Sequence, residues 1–297
     1  MGIKTALLAG LSTALFSVAG SGQTRLACLL PSAERCQPAA HGFDFSTAGA
    51  YSSTQDDLHS ASTATPSPKP YDAFLPRTVK RGLEDQKELY TAPFRSSNLK
   101  WDVPFLAGTG ALLATDRRIE RHLPDGHFQL YQNSSNIGLG AMAASAAGIW
   151  VYGIKTGNPR AKETGELALE TAADTFLIYA PMQLIAGRQR PGEGNGKGDF
   201  LQHHALNTSF PGGHSMFTWG LASVIAHEYP KPWVQALAYG AAVTVTASRL
   251  LARDHWSSDI LAGSALGFGI GTHIFHAHCD PELSPSCHHR TRRKDRP

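Results

Sequence analysis

The stretch SRLLARDHWSSD, residues 248–259, combines a guanidinium, an imidazole and carboxylates just after an apolar segment. Arg249 could hold a tetrahedral oxyanion, because a planar guanidinium presents paired N–H donors. If the next helix begins near Asp254, His255 and Asp259 share one helical face. The aspartate would then fix the imidazole tautomer and leave the second ring nitrogen free to attack. The alternative is a surface His–Asp pair that stabilises the helix by roughly a few tenths of a kcal/mol.

Two earlier stretches also place polar residues at the ends of apolar segments. QLIAGRQRP, residues 183–191, carries Arg188 and Arg190, which could face one cleft or could only stabilise a helix C terminus through its dipole. SFPGGHSMF, residues 209–217, places Gly212, Gly213 and His214 where a helix is expected to begin. Free backbone amides at a helix start suit an anion. An ordinary turn with an exposed histidine is the alternative.

Together the three stretches predict one anion site with arginines, helix N-terminal amides and two histidines. One histidine could attack phosphorus while the other protonates the leaving oxygen. Nothing in this set requires a metal, so we expect no cofactor. The four cysteines of the chain lie far from these stretches, which makes a thiolate mechanism unexpected.

The combination resembles the signature of the type 2 phosphatidic acid phosphatases, which share a fold and site with vanadium haloperoxidases and bacterial class A acid phosphatases. That signature reads Lys-x6-Arg-Pro, then Pro-Ser-Gly-His, then Ser-Arg-x5-His-x3-Asp. In the same order this chain has Gln183-x6-Arg190-Pro191, Pro211-Gly212-Gly213-His214 and Ser248-Arg249-x5-His255-x3-Asp259. The signature covers residues 183–259, and the surrounding helices extend the likeness to about 95–278.

The resemblance implies a role for each matching residue. His255 is the nucleophile that forms a phosphohistidine, Asp259 orients it, and His214 is the general acid for the leaving group. The phosphate oxygens are held by two side chains and one backbone amide: Arg190, Arg249 and Gly213.

This chain departs from the signature at two positions. Gln183 stands where the family has lysine, so it can donate a hydrogen bond but brings no charge, and Arg188 is a candidate to supply that charge. Gly212 stands where the family has serine, so a hydroxyl donor is lost while the amide remains. Losing one charged contact to a developing oxyanion costs roughly 2–4 kcal/mol.

The leading interpretation is a phosphatase acting on a phosphomonoester or diphosphate, either lipid-linked or a small soluble phosphoester. A vanadate-dependent haloperoxidase is the second interpretation, since it would use the same residues to hold vanadate as a cofactor. In a phosphatase, vanadate would act as an inhibitor instead. The third is a catalytically degenerate envelope protein that binds anionic head groups, which Gln183 and Gly212 motivate.

The elements that must position these residues are helices. Six segments of 12 to 20 residues are rich in Ala, Gly, Leu and Ile and show no strand alternation, which predicts an all-α, compact bundle of about six main helices with the active site at the helix ends. A short amphipathic helix is expected before them, closed ahead of Pro93. The predicted segments are 103–114, 137–154, 167–186, 215–227, 233–247 and 260–277.

Whether these helices enter a membrane stays open at the sequence level. Spanning needs about 20 apolar residues, and only the regions that begin at Ile137 and Ile260 approach that length. Glu170 and Asp174 interrupt the third segment. Both a soluble or peripheral protein and an integral one are compatible with this pattern.

The remaining composition indicates an exported protein of the periplasm or cell envelope. Residues 1–19 are typical of a signal peptide, 20–68 of a flexible Ser/Thr/Ala/Pro-rich linker, 69–279 of the helical domain and 280–297 of a basic tail that could contact a membrane surface. The net charge of only +3 gives no reason to expect a nucleic-acid partner. Export permits disulfides, but the pairing among Cys28, Cys36, Cys279 and Cys287 stays open.

Overall fold

The computed structural model describes residues 74–287, with side chains from residue 78 onward. Seven α-helices make up the described part, together with two short 3-10 turns at Ala92–Phe94 and Ser96–Asn98, and it contains no strand. The predicted all-α class is therefore confirmed. The helices are α1 Phe74–Thr91, α2 Leu99–Arg121, α3 Phe128–Thr156, α4 Pro159–Ala186, α5 Gly213–Glu228, α6 Pro232–Leu251 and α7 Ser257–His278. The predicted signal peptide and linker, and the tail from residue 288, lie outside the described residues.

The helices are longer than the apolar segments from which they were predicted. Helix α2 runs seven residues beyond the predicted end at residue 114, through a polar stretch that closes with Arg118 and Arg121. Those cations lie in the last turn, where the helix dipole favours them. Hydropathy marks only the part of a helix that contacts other apolar groups, so polar end turns escape it.

Short connections make successive helices antiparallel neighbours. Only two residues separate α3 from α4, three separate α5 from α6, and five separate α6 from α7. The C termini of α2, α4 and α6 therefore meet the N termini of α3, α5 and α7 at one end of the bundle. The long connection 187–212 between α4 and α5 covers that same end. All three polar stretches found in the sequence are thereby brought together.

A line of glycines lets α7 pack closely against α5. Gly263, Gly267 and Gly271 follow one another at intervals of four, so they share one face of α7. A Cβ atom at each would collide with the backbone carbonyl of Gly212, Met216 or Gly220 on the α5 side. Backbones that approach this closely fix the relative position of the two helices, and each helix N terminus carries site residues.

At the opposite end of the bundle, a disulfide joins Cys279 to Cys287. Both cysteines are buried against Leu167, Ile274 and Phe275 in one of the two apolar core clusters. The folded region thus continues to Cys287, past the predicted boundary at residue 279. Cys28 and Cys36 lie outside the described residues, so their pairing stays open.

Candidate active site

His255 is buried in the connection between α6 and α7, with 3% of the residue exposed. Its Nδ1 lies 2.7 Å from the backbone carbonyl oxygen of Ser209. A carbonyl oxygen only accepts hydrogen bonds, so Nδ1 must carry the proton. The Nε2 nitrogen is then left with a free lone pair, which is the form that a nucleophile needs.

The predicted contact between Asp259 and His255 is absent from this geometry. Helix α7 begins at Ser257, so His255 precedes the helix and does not share a helical face with Asp259. Asp259 Oδ2 is 3.9 Å from His255 Nδ1, beyond hydrogen-bond distance. Instead Asp259 accepts the backbone N–H of Trp256 at 2.9 Å, the reach-back bond of a helix N terminus.

Ser209 connects the two residues that the sequence paired directly. Its hydroxyl donates to Asp259 Oδ2 at 2.6 Å, while its carbonyl accepts from His255 Nδ1. Asp259 therefore orients the imidazole through Ser209 rather than by its own contact. Ser209 was quoted in the second polar stretch but assigned no role, since the sequence shows no sign that its carbonyl faces a histidine.

Arg188 does not supply the charge that Gln183 lacks. Its guanidinium is 2% exposed and forms ion pairs with Asp259 at 2.5 Å and Asp116 at 2.8 Å. It also donates to Ser258 Oγ at 2.7 Å. The expectation that Arg188 and Arg190 face one cleft is wrong, because α4 ends at Ala186 and the two arginines leave the loop toward different partners. Arg188 ties α2, the loop and α7 together.

Gln183 is buried completely and turned toward the loop. Its Nε2 donates to the carbonyl oxygen of Pro211 at 2.9 Å, and its Oε1 accepts the hydroxyl of Thr208 at 2.6 Å. Both ends of the amide are used within the protein, so the predicted hydrogen bond from Gln183 to a phosphate is not supported. The side chain holds the segment that leads to His214.

The Gly212 amide is also occupied, contrary to the expectation that it stays available to an anion. It donates to the backbone carbonyl of Asp259 at 3.0 Å. The Gly213 amide lies in the first turn of α5, where backbone N–H groups have no intrahelical partner. A Cβ at Gly213 would press against the ring of Tyr179, so glycine allows this turn to lie directly against that ring.

Arg190 and Arg249 converge on the carboxylate of Asp254. Arg249 Nη1 lies 2.9 Å from Asp254 Oδ2, and Arg190 Nη1 lies 3.6 Å from Oδ1. The carbonyl oxygen of Asn207 accepts a hydrogen bond from Arg190 Nη2 at 3.0 Å. Ser248 is buried in the last turn of α6, directly before Arg249. The two arginines that the signature assigns to phosphate are thus neighbours in space.

Helix α3 contributes three polar side chains that the sequence analysis missed. Gln132 donates to Asp254 at 3.0 Å, Ser135 accepts from Arg249 at 3.4 Å, and Asn136 Oδ1 lies 2.8 Å from His214 Nε2. The signal was present as the polar run QNSSN at the start of a long apolar helix. The apolar segment was taken to begin at Ile137, so this run was left outside it.

Burial and nearby arginines keep both histidines neutral. Burial, together with the charge of Arg249, lowers the pKa of His214 to about 4. Burial also lowers the pKa of His255 well below its ordinary value, with additional effects of Arg190 and Arg249. At neutral pH, therefore, His255 keeps the lone pair on Nε2.

Comparison with known families finds a match for the part of the chain that carries the site. Residues 167–280 match the model of the PAP2 superfamily, and they contain both histidines and both arginines of the site. Over this segment the chain is similar to the PAP2 superfamily. The polar residues of α3 and Asp116 of α2 lie before the matched PAP2 segment, so the site draws on residues outside it.

One curated relative of the PAP2 segment is the lipid A 1-phosphatase of Porphyromonas gingivalis. It is 34% identical over 65 residues, which are 21% of this chain and 15% of the relative. The similarity thus spans a small part of the relative's length. No solved structure matches the chain.

Two helices of the described part, α3 and α7, are long and apolar enough to cross a membrane. Of the most apolar window of α3, 17% is buried inside the bundle, against 39% for α7. The outer face of α3 therefore presents an apolar surface that includes Ile137, Val151 and Ile154. This surface is compatible with membrane association.

Proposed function

We propose that this protein is a metal-independent phosphatase that hydrolyses a lipid-linked phosphomonoester or diphosphate through a phosphohistidine on His255. The observation that carries the proposal is the His255 imidazole, buried, neutral and protonated on Nδ1 beside two arginines. The match of residues 167–280 to the PAP2 superfamily supports a phosphatase.

In the first step, Nε2 of His255 attacks phosphorus and the bond from phosphorus to the leaving oxygen breaks. His214 gives a proton to that oxygen, and the alcohol or phosphate product leaves. In the second step, water attacks the phosphohistidine while His214 takes a proton from it. Inorganic phosphate leaves and His255 is regenerated with Nδ1 still bonded to Ser209.

His214 must gain a proton before it can act as the acid. Its pKa of about 4 describes the site without an anion. A bound phosphate places negative charge beside the imidazole and favours its protonated form. Substrate binding therefore prepares the acid, and Asn136 holds the ring in place through Nε2.

Two observations support a lipid-linked substrate. The exposed apolar face of α3 is compatible with a membrane, and the site lies at the N-terminal end of that helix. The curated relative is named for activity on the 1-phosphate of lipid A. A phosphate at a lipid surface would meet the loop and helix ends that carry His255.

The test is phosphate release by the purified full chain in the presence of EDTA. The substrates are p-nitrophenyl phosphate, phosphatidic acid, undecaprenyl diphosphate and lipid A. His255→Ala is compared with His122→Ala, because His122 is an exposed histidine on the α2–α3 connection. We expect release that survives EDTA, persists in the His122 variant and disappears in the His255 variant.

Other outcomes would contradict the proposal. Bromination by the protein with vanadate, peroxide and bromide, without phosphate release, would favour the haloperoxidase. Stabilisation by phosphate without turnover of any substrate would favour a binding protein. Release that EDTA abolishes would exclude the metal-independent route.

A further inference from the structure

Asp254 places a carboxylate between the two arginines that the proposed function assigns to phosphate. Its Oδ2 pairs with Arg249 at 2.9 Å and its Oδ1 lies 3.6 Å from Arg190. Gln132 holds Oδ1 from α3 with a hydrogen bond of 3.0 Å. The carboxylate is 12% exposed at its side chain, so it is enclosed by these partners rather than by water.

Charged and titratable groups surround the Asp254 carboxylate on several elements. Arg190 lies on the loop after α4, and Arg249 lies on α6. His214 of α5, which also feels the charge of Asp254, is neutral, and so is His255. Glu193 accepts a hydrogen bond from the backbone N–H of Arg190, and Arg188 is paired with Asp116 and Asp259. The arginine pair with Asp254 thus carries one net positive charge.

We propose that Asp254 is a specificity-determining residue that adapts the arginine pair to a singly charged phosphoryl group and disfavours a doubly charged one. For a monoester the preferred form is the one that keeps one proton on the phosphate. This inference rests on the proposed function, because it assumes that Arg190 and Arg249 bind the phosphoryl group. To that function it adds the ionisation state of the substrate that the site prefers.

The physical reason is the repulsion between the carboxylate and an anion held by the same guanidiniums. Each added negative charge on the phosphoryl group interacts unfavourably over a few ångströms with the Asp254 side chain, which is 12% exposed. A dianion suffers this repulsion about twice as strongly as a monoanion. Replacing the carboxylate by an amide of the same shape removes the repulsion and keeps a partner for Gln132.

The experiment measures the binding of inorganic phosphate to the full chain by calorimetry, at about pH 5.5 and about pH 8, on either side of the second phosphate ionisation. Sulfate is the second probe, because it is a dianion at both pH values. Asp254→Asn is compared with the native chain. Asp125→Asn is the matched control, since Asp125 is an exposed partner of Arg253 in the neighbouring connection.

We expect the native chain to bind phosphate more weakly at the higher pH. In Asp254→Asn, phosphate at the higher pH and sulfate at both should bind about tenfold more tightly, while Asp125→Asn stays unchanged. Unchanged or weaker dianion binding in Asp254→Asn would overturn the proposal, and weaker binding would mean that Asp254 only holds the arginines in place. If the asparagine variant does not fold, Asp254→Ser must show the same gain.

Binding and turnover separate this inference from the proposed function. The calorimetry needs no hydrolysis, so the gain in Asp254→Asn without any His255-dependent release would contradict the phosphatase and leave the inference standing. His255-dependent release with no gain in dianion binding would contradict only the inference. If the native chain binds neither anion, the arginine pair is not an anion site and both are wrong.

Discussion

A backbone carbonyl holds the His255 imidazole in the form that a nucleophile needs. The Ser209 carbonyl oxygen accepts a hydrogen bond from Nδ1–H, with 2.7 Å between the nitrogen and the oxygen, while burial and two arginines disfavour a second proton on the ring. Because the pKa of His255 is lowered, its ring stays neutral as the pH falls through about 6.5, where an ordinary histidine becomes charged. Protonation removes the free lone pair on Nε2 only well below that pH.

Histidine NMR tests this directly, with the His255 signal assigned from its loss in His255→Gln. We expect that signal to stay in the neutral form at pH values where a free imidazole, with a pKa of about 6.5, becomes charged. In Arg190→Gln the pKa of His255 should rise but stay below the ordinary value, because burial is the larger effect. A His255 signal that titrates with the pKa of a free imidazole, about 6.5, would contradict the assignment.

His214 should matter in proportion to the difficulty of the leaving group. A general acid at His214 would protonate a poor leaving oxygen, so that this oxygen need not depart as an alkoxide. Such proton transfer contributes a factor of about 10²–10⁴ to the rate. His214→Ala should therefore lose much more activity on an alkyl phosphate than on p-nitrophenyl phosphate. Steady-state kinetics on both substrates checks this, and equal losses would contradict the role.

Arg188 is expected to stabilise the fold rather than to bind phosphate. Arg188→Met removes the partner of two buried carboxylates, Asp116 and Asp259, which costs about 3–5 kcal/mol. We expect a large loss in the free energy of unfolding, measured in denaturant. Arg117→Met is the control at an exposed neighbouring position. Equal stability of the two variants would show that the ion pairs contribute little.

At this scale the sequence indicated which residues meet but not which atoms they use. The spacing of the signature predicted that Arg190, Arg249, His214 and His255 converge, and the structure places them together. The predictions that Gln183 bonds to phosphate and that Arg188 supplies the missing charge were wrong. Residue type alone does not reveal that a side chain is already bonded to a buried partner, as Arg188 is to Asp116. The direct Asp259–His255 contact failed because it assumed a helix start near Asp254.

At the scale of elements, the contact between α5 and α7 depends on glycine. The stripe of Gly263, Gly267 and Gly271 was visible only as a general richness in small residues. Interpreting this stripe as a packing surface required knowing that α5 lies against it. Each of the six predicted apolar segments lies within one of the helices α2 to α7, and the predicted amphipathic helix corresponds to α1. The segments nevertheless cut off the polar run at the start of α3 that supplies Gln132, Ser135 and Asn136.

A pair of alanine substitutions on α7 tests the packing. Gly267→Ala forces a methyl group into the Met216 carbonyl, whereas the space at Gly269 is open. We expect Gly267→Ala to lower the free energy of unfolding by at least about 1–3 kcal/mol. Gly269→Ala should be neutral or slightly stabilising, because alanine is the better helix former. Thermal or denaturant unfolding that ranks the two variants otherwise would contradict the close contact.

At the scale of the whole molecule, antiparallel helices bring six helix ends and one long loop to a single site. The signature residues come from three separate stretches, and Asp116 and α3 join from outside the PAP2 segment. The apolar face of α3 begins beside the same site, so a substrate anchored in lipid would meet the catalytic end of the bundle. Sequence patterning predicted this end as the site, since each polar stretch followed or preceded an apolar helix.

The measurement that tests the central claim most directly is the detection of the phosphohistidine itself. His214→Ala, incubated with p-nitrophenyl phosphate, should accumulate the intermediate, because its hydrolysis lacks the base. After alkaline quenching, which preserves a phosphorus–nitrogen bond, mass spectrometry should find one phosphoryl group on the peptide that contains His255. The double variant His214→Ala, His255→Ala should carry none. Turnover without a phosphoryl group on His255, or with one on another residue, would contradict the account.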